Sequence, residues 1–115
     1  MSLWREVADF ALDQETQQAE AEQLAWIARE PGNARPYYQL AQLRRMQYKP
    51  EEGLGLLLHA VSLDPSLAEA HVALTEMYAV QGDTAAAWRH ARAAETHGDA
   101  GGVVLLERHQ VVEPK

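Results

Sequence analysis

Residues 34–67 read ARPYYQLAQLRRMQYKPEEGLGLLLHAVSLDPSL, and short helix-breaking clusters bound this stretch on both sides. The first cluster, EPGNA, occupies residues 30–34, and the second, DPSLA, occupies residues 64–68. A third, GDAGG, occupies residues 98–102, so successive clusters lie 34 residues apart. Proline, glycine and small polar residues interrupt regular structure, and a constant spacing of this size is typical of repeat proteins. The chain is therefore predicted to repeat one structural unit.

Each unit is predicted to contain two helices joined by a short turn. Asn33 and Asp83 have side-chain oxygens suited to helix N-caps, and Ser66 followed by Glu69 is a capping-box pattern. Pro50 suits the first turn of a helix, where a missing N–H costs little. The predicted helices span residues 3–12, 15–30, 34–46, 50–62, 68–80, 84–96 and 100–110.

Both units resemble the tetratricopeptide repeat. In that family a large residue, a leucine and a small residue mark the first helix, small residues recur in the second, and an acid-proline pair ends the unit. Residues 34–67 match this pattern with Tyr37, Leu40, Ala41, Gly53, Leu57, Ala60 and Asp64-Pro65. Residues 68–101 match it with Leu74, Thr75, Tyr78, Gly82, Ala87 and Ala94. Three positions depart from it: Arg44 replaces an aromatic residue, Ala91 a bulky one and Asp99 the terminal proline.

The resemblance implies an all-α fold, a right-handed superhelical stack of antiparallel helix pairs with about seven helices. Residues 1–33 are expected to form a degenerate helix hairpin, residues 34–67 and 68–99 two repeats, and residues 100–115 a capping helix and tail. About three units are usually needed for a stable stack. The hairpin is expected to supply the third, with Trp4, Phe10, Leu24 and Trp26 in its core.

The resemblance also implies that the first helix of each pair lines a concave groove. The stripe on the first unit comprises Arg35, Tyr38, Gln39, Gln42 and Arg45, and the stripe on the second comprises Glu69, Val72, Ala73, Glu76 and Val80. We expect a basic, amide-rich wall facing a shallow apolar and acidic wall. Such a groove suits a protein or peptide partner with an acidic residue beside a hydrophobic anchor. The alternative is a solvated face without a ligand.

The predicted C-terminal helix contains four adjacent apolar residues, Val103, Val104, Leu105 and Leu106. Four such residues point in too many directions for an ordinary solvated cap. Either the helix is well buried, or it pairs with a copy of itself. A structural homo-oligomer is therefore the second hypothesis, beside an interaction scaffold.

Composition narrows the classes of function. The net charge of −7 repels a phosphate backbone, so no nucleic acid is expected as a partner. The absence of cysteine removes disulfides and thiolate metal sites. No apolar run approaches the roughly 20 residues that cross a bilayer, and the first residues lack a leader pattern. We expect a cytoplasmic protein that does not bind membranes.

No catalytic, cofactor or metal site is expected. The pairs His90 with His97 and His71 with Glu76 lack the spacing that places two ligands on one helix face, and neither has an obvious third ligand. The serines lie outside any Gly-x-Ser-x-Gly elbow, and the glycines form no phosphate-binding loop. An enzyme is accordingly the least favoured class.

Overall fold

A computed structural model describes residues 3–115, and within this range the chain forms six α-helices and no strand. They are α1 (Leu3–Arg29), α2 (Ala34–Met46), α3 (Pro50–Leu63), α4 (Ala68–Gln81), α5 (Thr84–Thr96) and α6 (Gly101–Arg108). The predicted all-α class is confirmed. α4 begins 34 residues after α2, and α5 begins 34 residues after α3. None of these helices has both the length and the apolar character to span a bilayer.

Local side chains decide where the helices begin. The Asn33 side chain accepts a hydrogen bond from the Arg35 N–H, and Asp83 accepts one from the Ala86 N–H, which satisfies backbone donors left free at helix starts. Pro50 is the first residue of α3. The predicted capping box is wrong. Leu67 occupies the N-cap of α4 without a side-chain bond, because the Ser66 hydroxyl donates instead to Asp64 across the turn at 2.6 Å.

The core consists of equivalent positions of the two helix pairs. Leucine is buried at 40 and 74, and alanine at 60 and 94. Small residues at these positions let helix backbones approach closely. At Gly53 an added Cβ would lie 3.0 Å from Cγ of Arg45 and 3.2 Å from the carbonyl oxygen of Ala41. The contact between α2 and α3 therefore requires glycine there.

Helix α6 closes the C-terminal end of the helix array. Val103 and Leu106 are buried in a cluster with Trp88 of α5. The residues after α6 fold back, because the Trp88 indole N–H donates to the Val111 carbonyl at 3.0 Å. Arg92 binds both carboxylate oxygens of Glu113, at 3.0 and 2.7 Å. The tail is thus held against α5.

The N-terminal segment differs from the prediction. Helices at residues 3–12 and 15–30, forming a hairpin, are wrong, because α1 runs without interruption from Leu3 to Arg29. The predicted break had no glycine or proline to cause it. No residue of α1 is buried; Trp4 is 83% exposed and Phe10 is 64% exposed. Neither belongs to a core, and Leu24 is also exposed, whereas Trp26 is half-buried.

Adjacent leucines of α3 test this packing. Leu57 is fully buried, whereas Leu58 is 39% exposed. Leu57→Ala should lower the free energy of unfolding by about 3 kcal/mol, because it leaves a cavity in the core. Leu58→Ala, the matched control, should cost about 1 kcal/mol or less. Urea denaturation followed by circular dichroism measures both, and equal losses would contradict the assigned orientation of α3.

Candidate functional site

Six of the eight groove residues predicted from the sequence line one shallow pocket of about 170 Å³ between α2 and α4. They are Tyr38, Gln42, Arg45, Glu69, Val72 and Glu76, and Ala73 and Asp99 complete the lining. Arg35 lies beside the pocket, bound to Glu69, while Gln39 is exposed and outside the lining. Helical spacing was a sufficient guide to this surface.

Asp99 is the acidic lining residue that sequence reasoning missed. It belongs to the turn before α6, where its carboxylate accepts a hydrogen bond from the Gly101 N–H at 2.9 Å. The signal for it was present, because the GDAGG cluster that contains Asp99 follows DPSLA by one repeat length. An equivalent turn lies at an equivalent edge of the array.

Ion pairs between the two walls change the expected electrostatics of the pocket. Arg35 binds Glu69 at 3.2 Å, an interaction between residues 34 positions apart. Arg45 binds Glu76 at 2.9 Å and also donates to the Gln42 side chain at 2.9 Å. The predicted basic wall is therefore wrong, since each guanidinium is neutralised by the facing helix. Among the lining residues, three acids outnumber the one arginine.

Tyr38 provides a neutral hydrogen-bonding group at the pocket wall. Its ring is half-buried against the core. Burial raises the pKa of the Tyr38 hydroxyl, and the nearby charge of Glu69 raises it further. Because the charged phenolate is disfavoured on both counts, the hydroxyl remains a donor at neutral pH.

Two more apolar clefts continue from this pocket along α4. One, of about 480 Å³, lies against Pro50, Met77 and Val80, and the other, of about 310 Å³, lies between Val80 and Leu105. Glu76 lines all three depressions. Val80 is 89% exposed where the two apolar clefts meet. A continuous surface thus runs from a polar, acidic end to an apolar end.

Two histidines considered separately in the sequence are in direct contact. Nδ1 of His71 lies 3.0 Å from Nδ1 of His90, and Nε2 of His71 lies 2.8 Å from the Pro65 carbonyl oxygen. A carbonyl only accepts, so His71 carries its proton on Nε2 and accepts from His90 on Nδ1. His90 also stacks on Tyr78. Within residues 3–115, no group of three potential ligands gathers around this pair or elsewhere.

The histidine pair should make stability depend on pH. Burial and the neighbouring His71 lower the pKa of His90 from 6.5 to about 4. Between these values the unfolded chain binds more protons, so stability is lost as pH falls from 6.5 towards 4. The loss attributable to His90 should be on the order of 1–2 kcal/mol after solvent screening.

Thermal melts of the wild-type chain and of His90→Phe between pH 7 and pH 4 measure this effect. The His90→Phe variant should show a flatter dependence of Tm on pH, while a variant of the exposed His97, His97→Gln, should follow the wild type. Parallel curves for all three proteins would contradict the assignment.

Arg44, the residue that departs from the tetratricopeptide pattern, fastens α1 to the other helices. Its guanidinium binds Glu20 of α1 at 2.9 Å, Glu52 of α3 at 3.2 Å and the Gln47 side chain at 2.9 Å. The hydrogen bond from Arg44 holds the pKa of Glu20 below its usual value. A planar, permanently charged group with several donors suits this three-way junction, which an aromatic ring could not make.

Removing the Arg44 charge should release α1 selectively. In Arg44→Met, amides of residues 19–29 should exchange roughly tenfold faster or more, since hydrogen bonds to charged groups contribute about 1.5–3 kcal/mol. Amides of α4 should keep their protection. Hydrogen exchange with mass spectrometry measures both regions, with Arg89→Met as the control for charge loss.

The same junction should weaken in acid. The pKa of Glu20 is lowered in the folded chain, so its ion pair contributes stability above the ordinary carboxyl pKa and loses it as pH falls below. Faster exchange of residues 19–29 at pH 4 than expected from intrinsic rates is the predicted sign. Unchanged protection in both Arg44→Met and acid would contradict the role of Arg44.

The apolar residues of the C-terminal helix are mostly used within the chain. Val103 and Leu106 are buried, Leu105 is half-buried, and Val104 is 48% exposed. Of the two possibilities raised by the sequence, the buried cap accounts for Val103 and Leu106. Self-association through this helix would have only Val104 and part of Leu105 to offer.

Comparison with models of known protein families finds no match for this chain, and comparison with curated proteins finds none either. The resemblance to the tetratricopeptide repeat therefore rests on the residues of the chain itself.

Proposed function

We propose that this chain is a protein-interaction scaffold that binds a peptide segment of a partner protein along α4. The observation that carries the proposal is Val80, an exposed valine where two apolar clefts meet, next to a polar pocket. Interaction surfaces commonly combine an apolar centre with a polar rim. A bound segment would place a hydrophobic side chain against Val80 and Met77 and extend towards Tyr38.

The charges along the groove favour a basic residue beside that anchor. Arg45 is occupied by Glu76, so an acidic ligand group would have to displace a carboxylate that is already well placed. Glu69, Glu76 and Asp99 together leave a negative surplus at the polar end. Lysine or arginine in the ligand would meet this surplus, and it replaces the acidic residue expected from the sequence.

The proposal treats the two helix pairs as tetratricopeptide-like repeats stacked in a right-handed superhelix, acting in the cytoplasm. Support for the repeat comes from buried positions that recur one repeat length apart, such as Leu40 with Leu74. The mutual pairing of arginine and glutamate side chains across the groove favours binding over catalysis. No partner surface is assigned to the C-terminal helix, because Val103 and Leu106 are buried.

A displayed library of random peptides, selected against the wild-type chain, tests the groove. The selected peptides should share a large apolar residue with a neighbouring lysine or arginine. Val80→Asp should weaken a selected peptide at least tenfold in fluorescence anisotropy, because it places a charge in the apolar cleft. Val80 is exposed, so this variant should keep the wild-type helical spectrum.

Tyr38→Ala and Tyr48→Ala form the matched pair for the polar end. Tyr48 is 92% exposed and absent from the α4 groove, so its removal should leave peptide affinity unchanged. Tyr38→Ala should weaken binding several-fold. A library that yields no binder, or binders indifferent to Val80→Asp, would refute the proposal.

A further inference from the structure

The first half of α1 extends beyond the rest of the chain. Arg44 lies near the end of α2 and pairs with Glu20, so residues before Glu20 reach past α2. All residues from 3 to 15 are exposed. The half-buried residues of α1 are confined to its second half and comprise Thr16, Ala19, Glu20, Gln23, Trp26 and Ile27. An unsupported helix of this length is marginal in water, and this one exposes tryptophan and phenylalanine.

A second stripe runs along the whole of α1, on the side away from α2. Its apolar members recur at alternating intervals of four and three and are Leu3, Val7, Phe10, Ala21, Leu24 and Ala28. At 3.6 residues per turn, this stripe lies about 150° around the helix from the half-buried one. All six are exposed. The spacing is that of a coiled-coil seam.

The seam is complementary to itself when reversed. Two antiparallel copies of α1, centred between residues 15 and 16, place Phe10 opposite Ala21. The same alignment places Leu3 opposite Ala28 and Val7 opposite Leu24. The largest residue therefore meets a small one, and no layer contains two bulky rings. Such alternation of large and small residues is how facing helices fill space evenly.

The two central positions of the seam are glutamines. In the reversed alignment Gln14 lies opposite Gln17 of the second copy, and both residues are exposed in the single chain. A primary amide both donates and accepts, so two facing glutamines can satisfy each other. Polar residues at seam positions specify register in coiled coils at some cost in stability. These glutamines would hold the alignment in which the apolar layers match.

We propose that the chain forms a homodimer in which α1 packs antiparallel against α1 of a second copy. Each α2 then lies on the outer side, and the extended half of each helix rests on the supported half of the other. Trp4, beside the seam, reaches the level of Ala25 of the second copy. The unsupported segment thereby gains the neighbour that its own chain does not provide.

Charge distinguishes this occupant from a membrane. Residues 3–15 carry one arginine and four acids, Glu6, Asp9, Asp13 and Glu15. An anionic lipid surface would repel this segment, whereas interfacial helices are rich in lysine and arginine. The dimer does bring Asp13 near Glu20 of the second copy, but Arg44 already neutralises Glu20.

Sedimentation equilibrium on the full chain tests the dimer. The wild type should give twice the mass of 12.8 kDa at a concentration of about 100 µM. Phe10→Gln should raise the dimer dissociation constant at least tenfold. Leu12→Gln is the matched control, because Leu12 is similarly exposed, at 59%, but lies on the opposite side of α1. A monomeric wild type, or equal effects of the two variants, would overturn the proposal.

Disulfide trapping tests the orientation, since the chain contains no cysteine of its own. A mixture of Val7→Cys and Leu24→Cys chains should give mainly the mixed cross-linked dimer on oxidation. Val7→Cys alone should cross-link poorly, because antiparallel pairing separates the two copies of position 7 by about 25 Å. Efficient cross-linking of Val7→Cys with itself would indicate parallel pairing and overturn the model.

A lipid surface is the remaining rival for the seam. Flotation with phosphatidylcholine vesicles, with and without phosphatidylserine, should leave the wild type in the protein fraction. A chain that is monomeric in solution and floats with either vesicle would overturn the dimer in favour of membrane binding.

Discussion

Close approach of helices at small side chains is the constraint on which the structure depends. Ala60 and Ala94 are both fully buried, one repeat apart, and Gly53 leaves no room for a side chain against α2. Because helices pack closely there, leucines such as Leu57 and Leu74 fill the remaining space. The facing walls of the groove are then near enough for Arg45 to reach Glu76. Core packing and groove electrostatics therefore have one geometric origin.

Much of this arrangement could be predicted from breaks and spacing. Four helices, from α2 to α5, begin at the predicted residues, because proline, asparagine and aspartate at helix starts act locally. Six groove residues could be placed from helical periodicity alone. The ion pair between Arg45 and Glu76 was beyond prediction, because it depends on side-chain reach between helices. The capping box failed because Ser66 had a competing acceptor in Asp64.

Helix α1 illustrates why the expectation of a third helix pair failed. A family pattern suggested a break, yet the residues between 12 and 16 favour a continuous helix. Arg44 then compensates for the missing half of the pair with a charged junction rather than an apolar one. The departure of Arg44 from the repeat pattern and the unbroken α1 are two views of one local solution.

The folded-back tail has a consequence for the evolution of chain length. Trp88 and Arg92 hold residues 111 and 113, so the surface on which a further repeat would stack is already covered. Duplication could lengthen the array only by inserting whole units upstream of α4. The groove would then grow from its N-terminal side, while the apolar end around Val80 kept its surroundings.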